Sequence, residues 1–210
     1  MPYGTRVTAV IPAYNEADRI ENTLVNLKQV VNEIIVIDDA STDNTADVAR
    51  KCGAKVLVQK RNRGYINSIK LGFKEASGEY VVTLDADGEF LSEDIPYLLE
   101  PLVQGKADMV QGSRNIIPRP SERFLTWLAQ KKINVGDSGT GLRALKADLA
   151  RSLKLKGVCI CGVFSLEVAS KKGRIVDVPI TLRSINKPRK IAWFHLVQFF
   201  YLLPWLFRKY

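Results

Sequence analysis

Five short runs rich in β-branched and other apolar residues recur along the first half of the chain. They are RVTAVIP, EIIVIDD, AKVLVQ, EYVVTLD and DMVQGS, and a segment with helical spacing follows each of the first four. In EADRIENTLVNLKQV, for example, Ile20, Leu24, Leu27 and Val31 fall on one helical face. Strands buried on both faces read as continuous apolar runs, and strand–helix–strand order with short loops predicts right-handed crossovers. The expected fold is therefore α/β: a mostly parallel, Rossmann-like sheet flanked by helices. Ligands of such sheets bind beyond the carboxyl ends of the strands. The polar clusters PAYNE, DDAST, DADGE and GSRN all stand at those ends, so they are expected to share one cleft.

Two aspartates, Asp85 and Asp87, close the fourth run. In an extended segment a spacing of two puts both side chains on one face, and Glu89 continues the spacing. Two adjacent carboxylates repel, and a divalent cation relieves the repulsion. Hard oxygen donors suit Mg2+ or Mn2+, which keep coordination positions for phosphate oxygens. Asp38 and Asp39 end a neighbouring run, where a carboxylate can accept nucleobase N–H groups. Tyr14 can stack on a base, Glu16 lies near the next helix start, and Arg114 can meet a diphosphate in bidentate fashion. Helix capping by Asp43, a surface ion pair for Arg114 and simple turn formation at Pro12 and Asn15 are the competing structural readings.

The second half is less regular. RFLTWLAQKK and FSLEVASKKG have helical spacing, RIVDVPI reads as a further strand, and GDSGTGLRALKADLARSL reads as a turn leading into a helix. The 210 residues suffice for one sizeable domain, and the net charge of +9 points to an anionic partner. Three cysteines, Cys52, Cys159 and Cys161, argue against a disulfide framework and fit a reducing compartment. Cys159-x-Cys161 has no second cysteine pair or histidine cluster near it in the chain, so a metal role is disfavoured. The opening MPYGTRVTAVIP lacks the charged and apolar regions of a secretory leader.

Taken together, VIPAYNEADRI, VIDDASTDNT, NRGYINSIKLGFKEASGEYVVTLDADGEF and GSR resemble the family 2 glycosyltransferases of GT-A fold. DSGTGLRALKAD, Leu166-Glu167 and IVDVPITLR are similar to the dolichol- or polyprenol-phosphate mannose and glucose synthases, over roughly residues 5 to 190. The resemblance implies inverting, metal-dependent transfer of a hexose from a GDP- or UDP-sugar to a polyprenyl phosphate. It implies a nucleoside-binding segment at Pro12, Ala13, Tyr14 and Glu16, a base-recognising pair at Asp38 and Asp39, and metal ligation by Asp85 and Asp87. Glu89 falls where a polar third residue often stands. Arg114 matches an arginine facing the donor, and Gly141, Leu142 and Arg143 match the segment near donor sugar and acceptor phosphate. Arg183, with Arg189 or Lys190, is matched to acceptor phosphate.

An ionised acceptor phosphate is already a nucleophile and needs no general base. A hydroxyl acceptor (a glycan or glycolipid) would need one, and Asp137 is the candidate. A nucleotidyltransferase would carry a glycine-rich, basic stretch where PAYNE stands. A nucleic-acid-binding protein would interleave aromatic and basic residues on a strand, so no nucleic-acid partner is expected. No G-x-G-x-x-G follows the first run, which disfavours a dehydrogenase.

The domain is expected to end near residue 190. Ile191 to Phe207 then form an apolar segment bracketed by Arg189, Lys190, Arg208 and Lys209. As a helix it would reach about 26 Å, short of a bilayer core of roughly 30 Å. It is expected to lie in a membrane interface anchored by Trp193 and Trp205, on the cytoplasmic side, with packing against the domain as the alternative. His195 is assigned no role.

Overall fold

A computed structural model describes residues 4–117, 119–183 and 192–208. Arg189 and Lys190 lie outside the described residues. In chain order the elements are β1 (Val7–Ala13), α1 (Ile20–Leu27), β2 (Glu33–Asp38), α2 (Thr45–Lys51), β3 (Lys55–Val58), α3 (Tyr65–Glu75) and β4 (Tyr80–Thr83). A 3-10 turn at Ser92–Asp94 leads into α4 (Ile95–Val103), then β5 (Met109–Arg114), α5 (Pro120–Gln130) and β6 (Arg143–Lys146). They are followed by α6 (Ala147–Ser152), α7 (Val163–Ser170), β7 (Ile175–Ile180) and α8 (Ala192–Leu206).

Seven strands form one sheet in the order β3-β2-β1-β4-β6-β5-β7. All neighbours pair in parallel except β6, which is antiparallel to both β4 and β5. The sheet is mostly parallel with helices on both faces, as the apolar runs predict. Every residue of β1 is buried. Its odd-numbered members Val7, Ala9 and Ile11 pack under Ile20, Leu24 and Leu27 of α1 and the apolar face of α4. Val10 faces the other way, toward Ile66, Ile69 and Phe73 of α3 and the core shared by α5, α6 and α7. Gly72 lets α3 approach the sheet, because a Cβ there would fall 2.1 Å from Val10 Cγ1.

One element departs from expectation. Residues read as the start of a helix, Arg143–Lys146, form β6 instead, and the helix begins only at Ala147. The strand slots between β4 and β5, with Thr83 opposite Arg143 and Gln111 opposite Arg143 on the other side. Running antiparallel, β6 starts at the edge where β4 and β5 end. It therefore delivers the preceding residues 137–142 to the carboxyl edge of the sheet.

The last helix packs on the same core rather than standing apart. His195, Gln198 and Leu202, spaced by one helical turn, are buried. Leu202 belongs to the α3-side core and Phe199 meets Phe124 of α5 with ring centroids 6.0 Å apart. Trp193, Phe194, Leu196 and Phe200 remain exposed. Among the described residues no helix is long and apolar enough to cross a membrane.

Candidate active site

A cavity of about 430 Å³ opens at the carboxyl edge of the sheet. Asp85, Asp87 and Glu89 of DADGE, Arg114 of GSRN and Gly141 of the loop before β6 line it, whereas no residue of PAYNE or DDAST does. The carboxylates reach it differently from the expected strand alternation. β4 stops at Thr83, its last ladder contact is Leu84 N–H to Val10 O at 3.4 Å, and the chain then turns through Ala86–Gly88. Gly88 takes φ of +79°, a conformation that favours glycine, and the Glu89 N–H donates to Asp87 Oδ1 at 3.1 Å. Both Asp87 and Glu89 are buried in the cavity wall.

Asp85 sits against Gly141, where a Cβ would lie 2.5 Å from Asp85 Oδ2. The loop that leads into β6 thus presses bare backbone onto the carboxylate. Gly141→Ala is expected to displace Asp85 and weaken divalent-cation affinity by about 10–100-fold, the usual effect of disturbing an outer-shell contact, measured by Mn2+ titration. The Tyr65 hydroxyl is buried beside the same residue. Burial first, then the Asp85 charge, pushes its pKa well above the ordinary tyrosine value.

Hard donors at Asp85 and Asp87 suit a cation that takes one or two carboxylates and completes its shell with phosphate oxygens. Residues 85 and 87 fit that description. Glu89 faces the same cavity, but the three carboxylates do not close into a three-ligand cluster. Among the described residues the only group of three metal-ligating side chains with donor atoms within 4.8 Å is Cys159, Cys161 and His195. The sequence separates that histidine from the cysteines by more than thirty residues; the fold joins them at the cavity wall.

Arg114 ends β5, with only 9% of its side chain exposed. Its Nε donates to Asp137 Oδ2 at 2.5 Å and its Nη2 to Asp137 Oδ1 at 3.0 Å and Glu122 Oε2 at 3.2 Å. Burial works against the Arg114 charge, and the Asp137 and Glu122 carboxylates outweigh it, so its pKa stands above the ordinary arginine value. Arg119 Nη1 holds the other Glu122 oxygen at 2.5 Å. Arg119 and Glu122 both line the cavity; their i, i+3 spacing on an amphipathic helix carried no sequence signal separating them from a solvated pair.

Asp137 is fully buried and does not line the cavity. Besides Arg114 it accepts the Gly139 N–H at 3.0 Å. A carboxylate so placed positions an arginine, and the role of general base expected for a hydroxyl acceptor does not fit its surroundings. Arg143, expected near donor sugar and acceptor phosphate, does not line the cavity either. It is fully buried, with Nη2 donating to Ser138 O at 2.9 Å, Nη1 to Thr140 O, and its guanidinium 4.7 Å from the Phe164 ring centroid. Burial lowers its pKa. Through these bonds Arg143 shapes the 137–142 loop. Leu142 is buried as well.

The other predicted residues, Pro12, Ala13, Tyr14, Glu16, Asp38, Asp39 and Arg183, do not line the cavity. Pro12 and Ala13 pair with Ile37 and Asp38 at the ends of β1 and β2. Tyr14 is 48% exposed beyond them, and Glu16 is buried against Arg19 at 2.7 Å. Asp38 Oδ1 accepts from Ser41. Asp39 uses both oxygens within the chain, accepting from Gln59 Nε2 at 2.7 Å, Arg63 N at 2.7 Å and Gly64 N at 2.8 Å. It thereby fixes the loop whose Asn62, Gly64 and Tyr65 wall the cavity. Asp43 is not the cap residue of α2, which is Asn44 without a side-chain cap bond; from one position earlier it accepts the Thr45 N–H at 3.0 Å. Arg183 is exposed, and its N–H donates to Glu89 O at 2.8 Å.

A sheet flanked by helices on both faces, with one antiparallel strand inserted and with paired aspartates and an anchored arginine at its carboxyl edge, is the α/β class of fold in which ligands bind beyond the strand ends. Residues 8–167 match the profile of Glycosyl transferase family 2, and the chain belongs to that family. It is 32% identical over 206 residues to undecaprenyl-phosphate mannosyltransferase of Micrococcus luteus, covering 84% of this chain and 83% of that protein. It is 29% identical over 198 residues to dolichol-phosphate mannosyltransferase of Pyrococcus furiosus, covering 84% of this chain and 56% of that longer protein. Glucosyl-3-phosphoglycerate synthase of Mycobacterium tuberculosis shares the fold, with a TM-score of 0.80 at 22% identity over 97% of this chain and 81% of that one. That enzyme has also been solved with Mn2+, UDP and its product, at a TM-score of 0.71, 23% identity, and 88% and 74% coverage.

Proposed function

We propose that this chain transfers a hexose, with inversion, from a nucleoside diphosphate sugar (a GDP- or UDP-hexose) to a polyprenyl phosphate. The two mannosyltransferase relatives act, by name, on dolichol and undecaprenyl phosphates, and a structural neighbour holds UDP with Mn2+. Asp85 and Asp87 would hold Mg2+ or Mn2+, which supplies positive charge to the leaving diphosphate. Arg114, locked by Asp137 and Glu122, meets the same developing charge without reorganising. Tyr14 offers its ring to the base and Asp38 its carboxylate, while Asp39 acts through the 61–64 loop. The acceptor phosphate is assigned to Arg183, with Arg119 on the cavity wall as a second cation.

The observation that carries the acceptor class is the engagement of Asp137. With that carboxylate buried on Arg114 and Glu122 held between Arg114 and Arg119, a hydroxyl acceptor would have to take its base from another group on the cavity wall, such as Glu89 or His195. A phosphate acceptor needs none. The test incubates the full chain with GDP- and UDP-hexoses, Mn2+ or Mg2+, and a polyprenyl phosphate in detergent. Metal-dependent nucleoside diphosphate release coupled to sugar on the lipid phosphate is expected. Glycosylation of a hydroxyl acceptor, lost in Glu89→Gln while lipid phosphate stays unmodified, would overturn the reading.

A membrane surface is the proposed platform. Phe124 and Trp127 of α5 stack at 5.9 Å beside the exposed aromatic face of α8. Lys131 lies 4.8 Å over Trp127, and Arg208 lies 4.3 Å over Trp205. The patch borders the cavity, since Arg119 and Glu122 of α5 and Phe194 and His195 of α8 line it. Trp193→Ser with Phe200→Ser is expected to weaken sedimentation with anionic vesicles by about 10-fold or more.

A further inference from the structure

We propose that Cys159, Cys161 and His195 form a second metal site in the cleft, a three-ligand site for Zn2+ whose fourth position opens to the cavity. Their donor atoms lie within 4.8 Å of one another, and all three residues line the cavity. Cys161 Sγ and His195 Nε2 are 3.9 Å apart. Ligands at about 2.3 Å for Zn–S and about 2.0 Å for Zn–N, spread tetrahedrally, stand a little under 4 Å from each other, so this pair needs little movement. Two thiolates, one imidazole and an oxygen from the cleft is a ligand set zinc uses where it keeps an exchangeable position.

The supporting contacts are those a metal site requires. His195 Nδ1 lies 2.6 Å from Ser121 Oγ. In the tautomer whose Nδ1–H donates to that hydroxyl, the Nε2 lone pair is presented to Cys161, as outer-shell partners orient ligating histidines elsewhere. Gln198, fully buried, fixes the cysteine loop. Its Oε1 accepts from Val158 N at 3.0 Å and Cys159 N at 3.2 Å, and its Nε2 donates to Cys161 O at 3.2 Å. His195 and Gln198 stand one turn apart on α8, so the helix that supplies the ligand also sets the loop carrying the other two.

Ligand softness separates this site from the carboxylates. Thiolate and imidazole select zinc, whereas Asp85 and Asp87 suit Mg2+ or Mn2+. The site also lies beside the anchored arginine. A Cβ on Gly139 would be 3.3 Å from Arg114 Nη2 and 3.6 Å from Cys161 Sγ. On binding, each thiol gives its proton to buffer and the two thiolates and the imidazole donate to the ion. Zinc there would tie α8 to the 159–161 loop and present a cation to the cleft next to Arg114.

The test uses the full chain, reduced and stripped of metal by chelator, titrated with Co2+ and then Zn2+. One equivalent of Co2+ should give thiolate-to-cobalt charge-transfer absorption and tetrahedral ligand-field bands, both removed by one equivalent of Zn2+. Cys159→Ser, at a half-buried position that tolerates the change, should lower Zn2+ affinity by about 100-fold or more and halve the charge-transfer intensity. Cys161→Ser and His195→Gln should weaken binding likewise. Asp87→Asn should leave zinc binding intact, which separates this site from the proposed donor site and keeps its failure distinct from failure of the transferase reading. Absence of charge-transfer absorption in protein with confirmed free thiols would overturn the proposal. So would a Cys159–Cys161 disulfide as the stable state under the same reducing conditions, or cobalt spectra indifferent to the three substitutions.

Discussion

Asp87→Asn is expected to reduce hexosyl transfer by about 10³-fold or more while leaving the fold in place. Asparagine keeps the shape of the side chain and an oxygen to accept the Glu89 N–H, so the turn after β4 retains its contact. What it loses is charge at a buried position on the cavity wall. Mn2+ titration should show weakened binding, and donor affinity should lose its metal dependence. The thermal midpoint should move by less than about 4 °C, the shift expected for a change near 1 kcal/mol in a domain of this size. Full turnover in Asp87→Asn would remove the carboxylate pair from the mechanism.

Asp137→Asn is expected to be both destabilising and slow, for a reason unrelated to proton transfer. The carboxylate is buried on Arg114, and removing one partner of a buried ion pair costs about 3–5 kcal/mol because the other charge is left poorly matched. Glu122 remains as the second carboxylate on Arg114, so the arginine keeps one anchor and shifts toward it. A misplacement on the order of 1 Å is enough for about a 10²-fold loss in turnover. Loss of activity alone therefore does not identify a base. The pH–rate profile does: an acid limb set by ionisation of the acceptor phosphate, near pH 6, should survive in Asp137→Asn. Disappearance of that limb with stability unchanged would restore Asp137 as a general base.

The sheet and its ligand edge were legible because their signals are local. A β-branched run, a capping or turn cluster and an amphipathic helix each occupy a few adjacent residues, and the five runs became β1 to β5 in order. The segment RALK was not legible. Arg, Ala, Leu and Lys favour helix, and the residues run directly into α6, so propensity points the wrong way. Pairing with β4 on one side and β5 on the other overrides it. The same limit applies to charged side chains. A sequence names Arg114, Asp137 and Arg143 as candidates without distinguishing a residue that meets ligand from one that holds another in place.

The amino-acid order by itself determined a parallel α/β sheet and the strand ends that carry Asp38, Asp85, Asp87 and Arg114. Only the tertiary structure decided which of these share a cavity wall and what lies beneath. Arg114 and Asp137 pair across 23 residues, and Cys161 meets His195 across 34. Contacts of that range arise from how β6 and α8 pack, since neither short-range periodicity nor propensity encodes which distant side chains will meet. Burial then separates similar residues: Asp87 lines the cavity, whereas Asp137 and Arg143 are fully buried and do not.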